Sequence, residues 1–168
     1  MRKTGIATAL AALTMALCAA GTQPAAVAQD HGVGGTRVLY KIANVHSGLC
    51  VVVRGPANEN PVVVSDCGPW NDQKWEYNGG PDGIYWVNAN SGRCLTSRTG
   101  QNARQFDCGV YGDQRWDHLS SSTEHGFQIR NRHTGLCLVA RGFADNEPVV
   151  QTPCDRRYDD QLWTLVGA

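Results

Sequence analysis

Short apolar runs alternate along the chain with clusters of glycine, proline and asparagine, and no segment keeps the 3.6-residue period of a helix. In three stretches, apolar residues stand two positions apart, as Tyr40 and Ile42, Ile84 and Trp86, and Phe127 and Ile129. This spacing is typical of a strand with one buried face. Other short β-rich runs, such as 62–65, are bounded by turn residues. The pattern predicts an all-β protein.

The three stretches are copies of one repeat. Each contains Gly-x-Cys, at residues 48–50, 92–94 and 135–137, and each ends on Gln-x-Trp, at 73–75, 114–116 and 161–163. Each glycine is preceded four positions earlier by Asn44, Asn88 or Asn131. The period is a little over 40 residues, which predicts repeats of about 38–79, 80–122 and 123–168. One copy cannot bury its own tryptophan and strand faces, so three must share a closed, threefold core.

The amino-terminal residues do not follow the repeat. Arg2 and Lys3 precede an apolar stretch at 5–20, and a small-x-small pattern ends at Ala28. This predicts a signal peptide over residues 1–28, cleaved after Ala28, then a flexible amino terminus at 29–37 and a secreted protein. A membrane anchor is the alternative, but a span usually needs about 20 apolar residues and this stretch is shorter.

Seven cysteines are present, and Cys18 lies in the predicted leader. The remaining six form an even set, which in an exported chain is typical of disulfides, although six cysteines allow 15 pairings. One bridge inside each copy is the only solution that respects the repeat. The predicted bridges are Cys50–Cys67, Cys94–Cys108 and Cys137–Cys154.

Charge and residue spacing exclude several functions. The chain has 15 basic and 15 acidic residues, and so lacks the basic field that would attract nucleic acids or anionic membranes. With the thiols oxidised, no nucleophilic cysteine remains, and the five histidines show no metal-ligand spacing. We therefore predict a protein that is not an enzyme and has no metal or cofactor.

Three copies of Gly-x-Cys followed by Gln-x-Trp resemble the ricin B-type lectin domain, over roughly residues 38–166. The resemblance implies a β-trefoil of three pseudo-symmetric four-stranded repeats, here disulfide-braced, occupying residues 38–168. It also implies carbohydrate binding, with one shallow site possible in each repeat. In such domains Trp75, Trp116 and Trp163 would form the hydrophobic centre, while Gln73, Gln114 and Gln161 would support polar contacts and hold the loop.

The chain departs from the family at the expected ligand positions. The aspartate two residues after the first cysteine is replaced by Val52, Thr96 and Val139. The aromatic residue two before the second cysteine is retained only as Phe106, since the other copies have Ser65 and Thr152. The middle repeat is thus the best candidate site. There Phe106 would stack on a sugar, Thr96 and Asp113 would bond hydroxyls, and Gln114 would brace the pocket.

A second threefold set reads aromatic-x-Asp-Gln-x-Trp. Its rings are Trp70, Tyr111 and Tyr158, and its carboxylates are Asp72, Asp113 and Asp160. A flat ring beside a carboxylate suits a pyranose, so these loops are candidate glycan contacts. Alternatively, the ring covers the loop and the aspartate bonds backbone amides in a turn.

Three arginines follow the first cysteines by four residues, as Arg54, Arg98 and Arg141. They either bind anionic sugars or pair with nearby aspartates at the surface.

Together these features predict a secreted, monomeric, non-catalytic module that binds carbohydrate. The near-zero charge favours a neutral polysaccharide or glycan, without nucleic-acid binding or membrane insertion. The alternative is a trefoil with degenerate sugar sites that binds a protein, as an inhibitor or assembly subunit. Loss of all three expected aspartates favours this alternative, whereas the repeated ring and carboxylate favour the lectin.

Overall fold

The computed structural model describes residues 37–120 and 125–168. Thirteen strands lie in these residues, with bounds Leu39–Asn44 (β1), Cys50–Val53 (β2), Val62–Ser65 (β3), Trp75–Gly80 (β4), Gly83–Asn88 (β5), Cys94–Thr96 (β6), Arg104–Phe106 (β7), Trp116–Ser120 (β8), Phe127–Asn131 (β9), Cys137–Val139 (β10), Glu147–Pro148 (β11), Val150–Thr152 (β12) and Trp163–Gly167 (β13). Three single 3₁₀ turns precede the Gln-x-Trp tryptophans, at Asn71–Gln73, Gly112–Gln114 and Asp159–Gln161. The all-β prediction is confirmed.

Six strands close into a barrel. Each of β1, β4, β5, β8, β9 and β13 pairs antiparallel with the next in that order, and β13 pairs with β1 to complete the ring. Closure leaves the barrel without a free sheet edge. Six of the remaining seven strands form one hairpin in each repeat, namely β2–β3, β6–β7 and β10–β12, and the short β11 pairs with β3. Two barrel strands and one hairpin per repeat make up the β-trefoil that the resemblance implies.

The three hairpins meet through a cyclic set of backbone hydrogen bonds. The amide of Val62 donates to the carbonyl of Ala103 (2.9 Å), Ala103 to Val149 (2.8 Å) and Val149 to Val62 (3.1 Å). The loops of the first and third copies reach further, since Pro61 bridges to Arg104 and β11 pairs with β3. Each hairpin is therefore packed against a loop from another repeat.

Four tryptophans fill the barrel. Trp75, Trp86, Trp116 and Trp163 are all fully buried. The Nε1–H groups of the three Gln-x-Trp residues donate to the carbonyls of Val51, Leu95 and Leu138 at 3.0–3.2 Å. Such large side chains stabilise a core chiefly by the apolar area they bury, provided that the indole N–H finds an acceptor. The prediction that the Gln-x-Trp tryptophans lie in the hydrophobic centre is confirmed.

The Gly-x-Cys motif marks a tight turn. Gly48, Gly92 and Gly135 have φ values of 73°, 67° and 70°, a left-handed conformation that glycine adopts without a steric penalty. The asparagine four residues earlier stabilises the same turn, because its side-chain carbonyl accepts the amides two and three residues on, at 3.0–3.2 Å. Its amide nitrogen then reaches another repeat: Asn44 donates to Asp160, Asn88 to Asp72 and Asn131 to Asp113, each at the backbone carbonyl.

All three disulfides are present as predicted, as Cys50–Cys67, Cys94–Cys108 and Cys137–Cys154. The bridged residues are separated by 17, 14 and 17 positions. Each bridge ties the start of the hairpin to the loop that leads into the 3₁₀ turn. In the chain-entropy model, a loop of this length contributes about 3 kcal/mol by restricting the unfolded chain.

The leader prediction, with its cleavage after Ala28, lies outside the described residues, as does the segment 29–37 apart from Arg37. Among residues 37–120 and 125–168, no helix is long and apolar enough to cross a membrane.

Candidate functional site

The three predicted site loops are held from within by their glutamines. Gln73, Gln114 and Gln161 are buried, at 1%, 1% and 4% exposure. In each copy, the side-chain carbonyl accepts a backbone amide, from Gly68, Gly109 or Asp155, at 2.7–2.8 Å. The amide nitrogen donates back to the carbonyl of Asp66, Asp107 or Pro153. Both polar groups are thus used inside the loop, which makes these residues loop braces without a free group for a ligand.

The rings of the aromatic-x-Asp-Gln-x-Trp set stand at the surface. Trp70, Tyr111 and Tyr158 are 59%, 60% and 55% exposed. In the first two copies, the ring lies over the glycine two residues before it: a Cβ at Gly68 or Gly109 would fall 1.8 or 2.4 Å from the ring. The third copy is one residue longer here and has Asp155 after its second cysteine, three residues before Tyr158. The guanidinium of Arg157 lies 5.9 Å from the centroid of the Tyr158 ring. The rings therefore cover their own loops and keep an outer face in solvent.

The three aspartates of this set pair with the three repeated arginines. The nearest side-chain N···O distances are 3.7 Å for Arg54–Asp72, 2.9 Å for Arg98–Asp113 and 3.9 Å for Arg141–Asp160. The aspartates do not bond backbone amides, contrary to the turn interpretation, since one carboxylate oxygen faces the guanidinium. The other, Oδ1, is buried without a hydrogen-bond partner in all three copies. The carboxylates thus orient the arginines and have little surface of their own.

The middle repeat forms a groove of about 410 Å³ at its hairpin. Its lining includes Phe106 from β7, Arg98 and Arg104 at the ends of the hairpin loop, Gln101 and Asn102 within that loop, and Glu59 from the first repeat. Arg98 lies over the ring of Phe106, 4.2 Å from guanidinium carbon to ring centroid, and its Nε donates to Asp113. The stack and the ion pair hold this guanidinium in one place. Because Asp113 is bonded through Nε, the terminal N–H groups are left as donors at the groove.

Two predicted residues of this repeat do not reach the groove surface. Thr96 is 1% exposed, and its hydroxyl bonds the carbonyl of Cys94 at 3.0 Å. Asp113 does not line the groove; it contacts Arg98, which does. Conversely, Glu59 and Arg104 were not predicted from sequence, and the side chain of Arg104 donates to the carbonyl of Glu59 at 2.6 Å. No local pattern marks this contact, because it joins different repeats.

The equivalent face of the first repeat is closed. Val52 and Val63 stand where the middle repeat has Thr96 and Arg104, and they are 0% and 9% exposed. Arg54 bonds the hydroxyl of Ser65 at 3.0 Å and the side chain of Asn146 at 3.3 Å. A loop of the third repeat thereby seals this face. In the third repeat, Val139 is buried and the hydroxyl of Thr152 accepts a bond from Gln161.

One titratable side chain is part of the barrel wall. His118 stacks between Trp86 and Phe127, with ring centroids 5.5 and 4.0 Å away, and its Nε2 is buried without a partner. Burial lowers the pKa of His118 to about 4, although the nearby Asp117 carboxylate acts in the opposite direction. The ring is therefore neutral at physiological pH. Among the residues that the structure describes, no group of three or more histidine, cysteine or acidic side chains could hold a metal ion.

The six-stranded barrel, its three hairpins and a polar groove on one hairpin define a β-trefoil with a shallow surface site. The chain belongs to the ricin-type beta-trefoil lectin domain family, whose model matches residues 38–163. A comparison with curated proteins gives no match.

Solved structures share this fold. The designed 3-fold symmetric protein ThreeFoil has a TM-score of 0.71 at 21% identity, covering 77% of this chain and 99% of its own. The Rhizoctonia solani agglutinin has a TM-score of 0.68 at 20% identity, covering 82% and 99%. The hemolytic lectin CEL-III has a TM-score of 0.64 at 26% identity, covering 79% of this chain but only 31% of its own. At 20–21% identity, the first two likenesses show the fold alone.

Proposed function

We propose that the chain is a secreted, non-catalytic carbohydrate-binding module whose principal site is the groove of the middle repeat. Membership of the ricin-type lectin family supports the class of ligand. The observation that carries the location is the pinned guanidinium of Arg98, stacked on Phe106 and bonded to Asp113 beside an open groove. The equivalent arginine of the first repeat is occupied by Ser65 and Asn146 instead.

The chemistry of the groove suits sugar hydroxyls. Arg98 offers terminal N–H donors, Gln101 and Asn102 offer both donors and acceptors, and Glu59 offers a carboxylate. A hydroxyl both donates and accepts, so a lining of mixed character matches it better than one of donors alone. The exposed edge of Phe106 adds a partial apolar surface for sugar C–H groups.

A neutral glycan is the proposed ligand. Arg98 is compensated by Asp113, and Arg104 shares the groove with Glu59, so positive and negative groups balance locally as they do over the whole chain. The carboxylate of Glu59 would repel a strongly anionic ligand in the groove. The exposed rings Trp70, Tyr111 and Tyr158 are proposed as weaker outer contacts, one in each repeat. Asp72, Gln73, Asp160 and Gln161 would act there only by holding the loops that carry these rings. Several weak sites on one monomer would act through avidity.

Export and the absence of catalysis belong to the same proposal. The three disulfides support an oxidising, extracellular location. Cleavage after Ala28 is proposed from the small-x-small pattern of the sequence. All cysteines outside the leader are bridged, and the three repeated aspartates are paired with arginines. Mass spectrometry of the exported protein should give a chain beginning at Gln29.

A glycan array combined with retention on insoluble polysaccharides tests the proposal. We expect Arg98→Ala and Phe106→Ala to weaken binding of the retained glycan at least about tenfold, because a bond from a charged donor contributes about 1.5–3 kcal/mol. Phe143→Ala is the matched control, since Phe143 is 67% exposed and lies outside the groove lining. Wild-type affinity in a folded Arg98→Ala variant would place the site elsewhere.

The second candidate function is protein binding by a trefoil whose sugar sites are degenerate. The specific observation in its favour is the closure of the first hairpin face by Val52, Val63 and Arg54, together with exposed apolar side chains such as Val110, at 90%. Silence of the glycan array, together with a secreted protein partner whose binding is lost on Val110→Asp, would support this function over the first.

A further inference from the structure

A second cavity lies at the turn between β4 and β5, where the first repeat passes into the second. Its volume is about 360 Å³, and its lining includes Tyr77, Asn78, Asp82, Tyr85 and Arg115 with the glycines of the turn. It shares no lining residue with the groove of the middle repeat. It also lies apart from the hairpin positions at which the family resemblance places sugar sites.

Arg115 and Tyr85 form the wall of this cavity. The guanidinium carbon of Arg115 lies 3.5 Å from the centroid of the Tyr85 ring, and the Tyr85 hydroxyl donates to the carbonyl of Gly109 at 2.9 Å. The ring is thus fixed at its far end and supports the guanidinium over its face. Asn78 lies directly opposite Tyr85 in the β4–β5 ladder, so its side chain emerges on the same face.

Two charged side chains of this cavity have no hydrogen-bond or ion-pair partner among the residues that the structure describes. Within residues 37–120 and 125–168, the half-buried side chain of Arg115 makes no ion pair or hydrogen bond, and neither does the carboxylate of Asp82. An arginine donor, a carboxylate acceptor and an amide that does both therefore face one cavity beside aromatic rings. This combination matches vicinal hydroxyl groups on an apolar ring.

The glycines of the turn differ in what they do. Gly83 has a φ of 100°, so a side chain there would be strained, and a Cβ at Gly79 would fall 2.7 Å from the Tyr77 ring and displace it. Gly80 has no left-handed φ, and a Cβ there would meet nothing within 4 Å. Neither backbone conformation nor packing therefore explains the missing side chain at Gly80. Its absence keeps the face that carries Tyr85 open.

We propose that this cavity is a second carbohydrate-contact site, in which Arg115 donates to and Asp82 accepts from the hydroxyls of one sugar unit. The inference rests on the proposed function, because it assumes that the chain binds glycans. It goes beyond that function by placing a site between two repeats, so that one chain holds two different contacts. A polysaccharide could then be bound at two points along its length.

NMR titration tests this site and the groove separately, because the Nε–H resonances of Arg115 and Arg98 report on one site each. The probes are lactose, xylotriose and chitotriose, which present a hexose, a pentose and an N-acetylhexosamine. We expect at least one probe to shift the Arg115 signal in the wild-type protein. Gly80→Gln should abolish that shift by filling the cavity, while leaving the Arg98 shift unchanged.

Gly167→Gln is the matched control, since a Cβ at Gly167 also meets nothing within 4 Å and the residue lies outside the cavity lining. Asp82→Ala is the second cavity variant, and it should weaken the Arg115 response at least fivefold even if Gly80→Gln misfolds. An Arg98 response with no Arg115 response to any probe would overturn the second site alone. The reverse result would overturn the groove alone, and absence of both responses would overturn both.

Discussion

The hairpins of the first and middle repeats share a framework but carry different surfaces. In both, a buried glutamine braces the loop, a buried tryptophan bonds the hairpin backbone and an arginine pairs with an aspartate. Yet Val52, Val63 and Ser65 close the first face, whereas Arg104 and Phe106 open a groove on the middle one. Residues that hold the fold are thus repeated, while those on the outer hairpin face vary independently of them.

The framework should be equally important in both repeats. Trp75→Ala and Trp116→Ala each remove a fully buried indole that donates to a hairpin carbonyl, so each should lower the free energy of unfolding by about 3–5 kcal/mol. Chemical denaturation of both variants measures this. A difference of more than about 2 kcal/mol between them would break the equivalence of the two copies, since mutational costs at matched sites should agree within such a range.

The disulfides come next in expected effect. Replacing Cys50 and Cys67, or Cys94 and Cys108, by serine should lower stability by about 3 kcal/mol in either repeat, because the bridged separations of 17 and 14 residues are similar. Thermal unfolding of the two double variants gives the comparison. Markedly unequal melting temperatures would show that one loop retains structure without its bridge.

The two repeats should respond differently to pH. His118 of the middle repeat occupies the position of Tyr77 in the first, two residues after the Gln-x-Trp tryptophan. Because burial lowers its pKa from 6.5 to about 4, the unfolded chain takes up the proton first as the pH falls. Stability is therefore complete above pH 6.5 and is lost down to about pH 4, by about 1–2 kcal/mol, since partial exposure of the ring reduces the effect.

His118→Tyr makes the middle repeat like the first and should remove this component of the pH dependence. Unfolding free energies measured at pH 7 and pH 4.5 for both proteins provide the check. Asp117 precedes His118 in β8, and its pKa is raised by burial but lowered overall by hydrogen bonds from Arg130 and Arg132. An unchanged pH profile in the variant would assign the acid sensitivity to such carboxylates instead.

The smallest expected effects on stability are those of replacing Arg54 or Arg98. Arg54→Ala should cost about 1 kcal/mol, because it loses bonds to Ser65 and Asn146 across two repeats, and Arg98→Ala about 0.5 kcal/mol or less, as expected for an exposed ion pair. Their effects on glycan binding should be the reverse, with only Arg98→Ala weakening retention. Calorimetry measures the loss of stability and affinity chromatography the loss of glycan binding. If the same variant had the larger effect in both measurements, the assignment of Arg54 to the framework and of Arg98 to the site would be wrong.

Much of the framework could be predicted from the sequence. Three occurrences of Gly-x-Cys, each followed by Gln-x-Trp, indicated three copies, and one bridge per copy followed from them, because similar local sequences fold into similar local structures. The roles of the outer-face residues were less predictable. Thr96 is a plausible sugar ligand by position but is buried, and the aspartates were expected on backbone amides or sugars but pair with arginines. Which partner a polar side chain takes depends on distances that the linear sequence does not contain.

The sequence by itself determined the repeat, the disulfide pattern and the buried tryptophans, since these depend on local turn geometry, covalent pairing and hydrophobicity. The sequence favoured the middle repeat through Phe106, but only the tertiary structure shows which side chains open its hairpin face and which close the first. Glu59 reaches the middle groove from the first repeat, and Asn146 helps to seal the first face from the third. These contacts join residues distant in the chain, and they arise because the threefold packing brings each hairpin against a loop of another repeat.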